Sequence, residues 1–127
     1  KPASTTGTQE YLLYEMVENT RVNTDLTIDI SSAHEQWQTD ETVIVDVRDR
    51  DAFDEMHLHG SLNIPLDELP EYIFHLPEDK DTPILTLCQR GEISLMAVLF
   101  LTSLGYRNVR SVNGGTIAWR ELGYPVE

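Results

Sequence analysis

What most constrains this chain is a recurring pair of signals, a short run of aliphatic and β-branched residues followed by a helical stretch. Residues 42–47 read Thr-Val-Ile-Val-Asp-Val, and residues 83–87 read Pro-Ile-Leu-Thr-Leu. Neither run alternates polar and apolar residues as a strand with one wet face would. Nearly continuous apolar character is the pattern of strands buried on both faces, a property of parallel sheets. Shorter strand signals occur at residues 26–30, 62–64 and 108–112. Helical stretches separate them, as parallel strands require. The expected fold is α/β, with a central, mostly parallel five-stranded sheet and helices on both faces.

The helical stretches are placed by their caps. Ser32 with Glu35 has capping-box spacing and is expected to open a helix reaching about residue 38. Residues 51–56 form a short helical turn. Residues 66–76 are helical, with Pro70 in an early turn or a break. Residues 94–104 form a helix stopped at Gly105 as its C′ residue. Gly114-Gly115 makes a turn, and a last helix runs to Leu122 and stops at Gly123. Ahead of this body, residues 1–7 (Lys-Pro-Ala-Ser-Thr-Thr-Gly) read as a linker or tail. Residues 9–18 have helical character: Thr6 and Gln9 have capping-box spacing, and Leu12, Leu13, Met16 and Val17 form an apolar stripe. The division is a 1–25 extension with a short helix and a 26–127 folded domain.

A chain of 127 residues fits one domain of this size. The longest apolar stretch, residues 95–101, falls well below the roughly 18 residues of a membrane span. The net charge is −13, from 22 acidic and 9 basic residues. Such a chain repels phosphate backbones, so nucleic acid is not an expected partner. The charge serves solubility or reflects a salty habitat. One cysteine permits neither an intrachain disulfide nor a CxxC redox pair. The cytoplasm is the expected compartment. A first residue of Lys1 rather than Met reads as a processed form or a piece of a longer chain, which leaves a periplasmic or tethered form open.

That cysteine sits where chemistry is expected. The buried strand at residues 83–87 delivers Cys88 to its carboxyl end, a short loop with Gly91 follows, and a helix begins. In open α/β sheets, ligands bind at the carboxyl ends of the strands. Loop N–H groups can turn inward as an anion nest, and a helix start adds its positive dipole end. A thiol here is expected to be partly thiolate at neutral pH without a histidine base. Cysteine phosphatases use C-x5-R, in which the arginine clamps phosphate bidentately. Here Ser94 stands at that position and Arg90 is too early, so phosphoryl transfer is disfavoured against a smaller sulfur group.

At these residues the sequence resembles the rhodanese family of sulfurtransferases. Cys88, Gly91 and Ser94 match an active loop of the form C-x-x-G-x-x-S. Two flanking signatures are similar as well. The first is Asp46-Val47-Arg48 with Phe53, His57, Gly60-Ser61 and Asn63-Ile64-Pro65. The second is Gly105-Tyr106-Arg107-Asn108-Val109 with Asn113-Gly114-Gly115, Ala118-Trp119 and Gly123-Tyr124-Pro125. The resemblance covers residues 26–127. It implies a rhodanese-like α/β fold and a ping-pong sulfur transfer. In it, Cys88 attacks the outer sulfur of a donor such as thiosulfate or a persulfide. The resulting persulfide is held by the loop of Gln89, Arg90, Gly91, Glu92, Ile93 and Ser94, and passes to a thiol, cyanide or protein acceptor. No cofactor or metal is implied. The chain departs from the family pattern at Ile93, where many members carry a polar or basic residue, and at Glu92, which adds a negative charge. The alternatives are a non-enzymatic sulfur carrier or protein-interaction domain, and, less favoured, a cysteine phosphatase or arsenate reductase.

Other residues are expected to be structural. Asp46 and Arg48 support the site by tying loops together. His57 and His59 have H-x-H spacing but no evident third metal ligand. His34 and His75 are expected at the surface, and Trp119 in the core.

Overall fold

Parallel pairing runs through the whole sheet. In the computed structural model, which describes residues 25–127, the elements follow one another as β1 (Thr27–Ile28), α1 (Ile30–Trp37), β2 (Val43–Asp46), α2 (Arg50–Glu55), β3 (Leu62–Asn63), a 3-10 segment (Leu66–His75), β4 (Ile84–Leu87), α3 (Glu92–Ser103), β5 (Val109–Val112) and α4 (Gly115–Glu121). The strand order is β1-β5-β4-β2-β3. Every neighbouring pair is parallel, so the sheet is parallel throughout rather than mostly so. The expected helix at residues 9–18, with its cap and its stripe, lies outside the described residues.

The two faces of the sheet bury separate clusters. Along β4, Ile84 and then Cys88 face one cluster with Ala97, Val98 and Leu101 of α3. Leu85 and Leu87 face the other, with Ala33 of α1 and Trp119 of α4. All four β4 residues are buried, which explains their nearly continuous apolar run, and the one polar member, Thr86, donates its hydroxyl to the Ser94 carbonyl at 2.8 Å. Each aliphatic side chain removed from water contributes about 1.5–3 kcal/mol. Trp119 is 1% exposed, as expected of a core residue.

Several boundaries differ from the sequence expectations, each for a local reason. Helix α1 is capped by Asp29, not Ser32, because the Asp29 carboxylate accepts from the Ser32 amide at 2.7 Å. Residues 66–75 coil as 3-10 turns with a break at Tyr72 (φ −112, ψ 21). Pro70 lies inside this segment and has no N–H to donate to a regular α ladder. Helix α3 starts at Glu92 behind Gly91, two residues before Ser94. The Ser94 hydroxyl is turned inward, so it does not serve as a cap. Both flanking strands, β1 and β3, are two residues long.

Candidate active site

Strand β4 is central in the sheet, and Cys88 follows its last residue at the carboxyl end. The thiol is 2% exposed and forms part of the wall of a cleft of about 450 Å3. Val47, Ala52, Leu66 and Ile93 make most of that wall apolar, and Arg48, Asp49, Asp67 and Gln89 complete it. Cys88 thus sits at the base of a cavity, with its sulfur held by the protein.

Two sets of hydrogen bonds hold that sulfur. The Gly91 N–H donates to Sγ at 3.0 Å. Gly91 has φ +121, which a side chain would strain. Beneath the loop, the thiol donates to Ser94 Oγ at 3.4 Å, Ser94 and Ser111 hydroxyls lie 2.6 Å apart, and Ser111 donates to the Gly91 carbonyl at 3.2 Å. Ser94 is 0% exposed and Ser111 1%. The chain thiol to Ser94 to Ser111 to Gly91 carbonyl satisfies each hydroxyl. When sulfur carries negative charge, the Ser94 hydroxyl can turn and donate to it. Ser94 therefore supports the sulfur from below and has no access to solvent.

Helix α4 completes the loop. The Cys88 carbonyl accepts from Thr116 N–H at 2.9 Å, Gln89 from Ile117 at 3.1 Å, and Arg90 from Gly114 at 3.1 Å. A trans peptide places its C=O and the next N–H on opposite sides. Tying these three carbonyls to α4 turns the N–H groups of Gln89, Arg90 and Gly91 away from that helix. For Gly91 the consequence is the bond to sulfur. The close approach requires glycine, because a Cβ on Gly115 would collide with the Cys88 and Gln89 carbonyl oxygens. Sequence reasoning took Gly114-Gly115 as a turn and missed this role. The signal for it was there: a glycine pair between a buried strand and a helix marks close backbone approach.

The other expected site residues take different positions relative to the cleft. Asp46 is 0% exposed and bonds Arg48 through both carboxylate oxygens, while Arg48 also reaches the Met56 carbonyl at 2.7 Å. The Asn63 side-chain amide donates to both the Asp46 and Arg48 carbonyls. These contacts tie loops together, and they also hold Arg48 in the cleft wall. Gln89, Arg90, Glu92 and Ile93 are exposed, and of the four only Gln89 and Ile93 line the cleft. His57 Nδ1 lies 2.8 Å from the Phe53 carbonyl, and His59 pairs with Glu127 at 2.8 Å. Among the described residues, no three His, Cys, Asp or Glu side chains converge as a metal site. His75 is exposed as expected. His34 is not a free surface residue: it stacks on Tyr124 at 3.9 Å within a cluster including Trp37 and Trp119. No described helix is long and apolar enough to cross a membrane.

Fold and site together define a parallel α/β domain with a buried cysteine in a loop at the carboxyl end of its central strand. The chain belongs to the Rhodanese-like domain family, whose pattern matches residues 29–122. It is 34% identical over 98 residues to the thiosulfate sulfurtransferase GlpE of Tolumonas auensis, covering 77% of this chain and 90% of that one. A rhodanese-related protein from Thermoplasma volcanium has a similar structure, with a TM-score of 0.72 and 31% identity over 80% of this chain and 97% of its own. The rhodanese-like domain of an Anabaena protein also has a TM-score of 0.72, with 27% identity over 81% of this chain and 79% of its own.

Proposed function

We propose that this domain is a sulfurtransferase that moves a sulfane sulfur from a donor to a thiophilic acceptor through a persulfide on Cys88. The observation that carries this reading is the Gly91 N–H on Cys88 Sγ, in a loop whose Cys88, Gln89 and Arg90 carbonyls are bonded to the start of α4 and the glycine before it. Amides aimed at sulfur complement negative charge on a thiolate, and equally on the sulfur pair of a persulfide. The family and the GlpE relative, named a thiosulfate sulfurtransferase, support the same chemistry.

The reaction has two displacements. Cys88 sulfur attacks the outer sulfur of the donor, and the bond from that sulfur to the rest of the donor breaks. The electron pair leaves with the remainder, as sulfite when the donor is thiosulfate. An acceptor thiolate or cyanide then attacks the outer sulfur of the persulfide, and the pair of the breaking S–S bond returns to Cys88. Cys88 is the one cysteine in the sequence, so no internal thiol intercepts the persulfide and an outside acceptor removes the sulfur. The steps use no metal or organic cofactor. Gln89 and Ile93 line the cleft that receives the transferred sulfur, the Gly91 N–H meets the Cys88 sulfur, Ser94 lies under it, and Arg90 and Glu92 belong to the same loop outside the cleft wall.

Intact-mass measurement after mixing with a panel of donors tests the reading. One added sulfur is expected on the native chain and none on a folded Cys88→Ser variant. An adduct persisting in that variant would overturn the mechanism. Turnover with cyanide separates an enzyme from a passive sulfur carrier. Hydrolysis of an aryl phosphate that depends on Cys88 would favour the phosphatase alternative, although Ser94 is buried where that chemistry needs an arginine.

A further inference from the structure

The cleft above Cys88 is larger and more apolar than a sulfur atom requires, and its charged groups have the wrong sign for a small anion. Its volume of about 450 Å3 falls in the range of roughly 300–1,000 Å3 that holds larger ligands. Val47, Ala52, Leu66 and Ile93 form its apolar surface. The cation in the wall, Arg48, is already neutralised by the buried Asp46 and further engaged by the Met56 carbonyl. Two exposed carboxylates, Asp49 and Asp67, stand in the same wall. Arg90 is exposed and lies outside the wall, beyond which Glu92 adds another exposed carboxylate.

The apolar surface does not stop at the cleft. Ile93 is 49% exposed, and Met96, one helical turn along α3, is 59% exposed. Residues three apart share a helix face. An apolar strip therefore leads from the sulfur site out over α3, bordered at the cleft by carboxylates.

We infer that the sulfur partner of Cys88 is a cysteine carried on a polypeptide segment of another protein, with apolar residues beside that cysteine and Lys or Arg flanking it. This inference rests on the persulfide reading above and specifies its partner. The apolar neighbours lie against Ile93 and Met96, and the basic flanks face Asp49 and Asp67. Transfer needs no further reagent. The segment's thiolate attacks the outer sulfur of the Cys88 persulfide, the S–S bond breaks, and Cys88 recovers the electron pair and then a proton.

The test uses the full chain loaded with excess inorganic polysulfide, with intact mass reporting the sulfur on Cys88. Two short synthetic peptides serve as acceptors, both with a Leu-Cys-Leu centre, one flanked by lysines and the other by glutamates. Cysteamine is a small cationic control. The lysine peptide is expected to unload Cys88 about tenfold faster than the glutamate peptide at low salt, the lower end of electrostatic steering. The ratio should narrow with added salt and in an Asp49→Asn, Asp67→Asn double variant. Asparagine keeps the helix-capping preference at position 49, where Asp49 precedes α2. Met96→Ser should reduce the lead of the lysine peptide over cysteamine. Equal peptide rates, or a faster glutamate peptide, would overturn the inference while leaving the persulfide reading intact. Failure of Cys88 to take up sulfur at all would remove both.

Discussion

Gly115 lies against the Cys88 carbonyl so closely that no side chain fits between them. Its φ of +59 is in the left-handed region as well. That contact lets Thr116 and Ile117 bond the carbonyls of Cys88 and Gln89 and so sets the direction of the loop amides. Gly115→Ala should cost about 1–3 kcal/mol by overpacking. It should also slow sulfur loading of Cys88 by tenfold or more. Gly123→Ala is the control, since Gly123 also has positive φ but open space around it. Thermal melting and adduct mass are the readouts, and equal behaviour of the two variants would contradict the account.

Ser94 and Ser111 are both buried and share one short contact. Ser111→Ala removes this contact, but the Ser94 hydroxyl keeps the Gly91 carbonyl and the Cys88 thiol as partners, so the cost should be that of one hydrogen bond, about 0.5–1.5 kcal/mol. Ser94→Ala removes the hydroxyl nearest the sulfur as well. Both variants should melt lower, but Ser94→Ala should lose more of the adduct-forming rate. Chemical denaturation together with loading kinetics separates the two effects. A larger kinetic loss in Ser111→Ala would reverse their assigned roles.

Asp46 is fully buried and Arg48 has a side-chain exposure of 12%. Removing one member of such a pair leaves an unpaired charge and typically costs about 3–5 kcal/mol. Asp46→Ala should therefore be among the most destabilising substitutions outside the hydrophobic core. Urea unfolding measures it. A loss below about 1 kcal/mol would show that Arg48 finds other partners.

The Asp29 carboxyl is held below its ordinary value of 3.8, first by the Ser32 amide and then by the Ser31 and Ser32 hydroxyls. A depressed carboxyl contributes stability that is fully present above the unfolded value and is lost as pH falls through the lower folded value. Acidification below about 4 should therefore weaken the start of α1. Asn caps nearly as well without titrating. In Asp29→Asn the melting temperature should fall less steeply with acid than in the native chain, and parallel curves would show that the cap adds nothing to acid stability.

Glu92 stands in the first turn of α3, next to the Gly91 amide that meets the sulfur. Thiosulfate is a dianion, so Glu92→Gln should raise its second-order rate by about two- to fivefold at low salt, with less effect at high salt. A neutral donor should respond less. An unchanged or slower thiosulfate rate would mean the carboxylate acts elsewhere.

The strands, the order of helices and the place of Cys88 at the end of a central strand were legible in the sequence for physical reasons. Residues 42–47 and 83–87 are buried on both sides, so their composition alone announces parallel strands. Cys88, Gly91 and Ser94 lie within one strand–loop–helix unit, and local spacing conveys such a unit. Helix starts were less legible. Asp29, Ser31 and Ser32 can each cap a helix, and the Asp29 bond to the Ser32 amide decided among them. The segment around Pro70 has helical composition but follows a 3-10 path.

By itself the sequence determined a parallel α/β domain, one possible thiol nucleophile and a loop without the arginine of a phosphatase. Tertiary structure alone decided how that thiol is held. Thr116 reaches the Cys88 carbonyl, Ser111 meets Ser94, and His34 joins Tyr124, each across a long stretch of chain. Periodicity and capping patterns report the environment of neighbours within a turn or a strand. They do not say which carbonyl a distant helix start will meet, or which of two exposed-looking residues folding will bury. Those outcomes depend on how β4, β5 and α4 pack together. The same packing gathers Asp49, Asp67 and Ile93, from three separate segments, into the wall of one cleft over the sulfur.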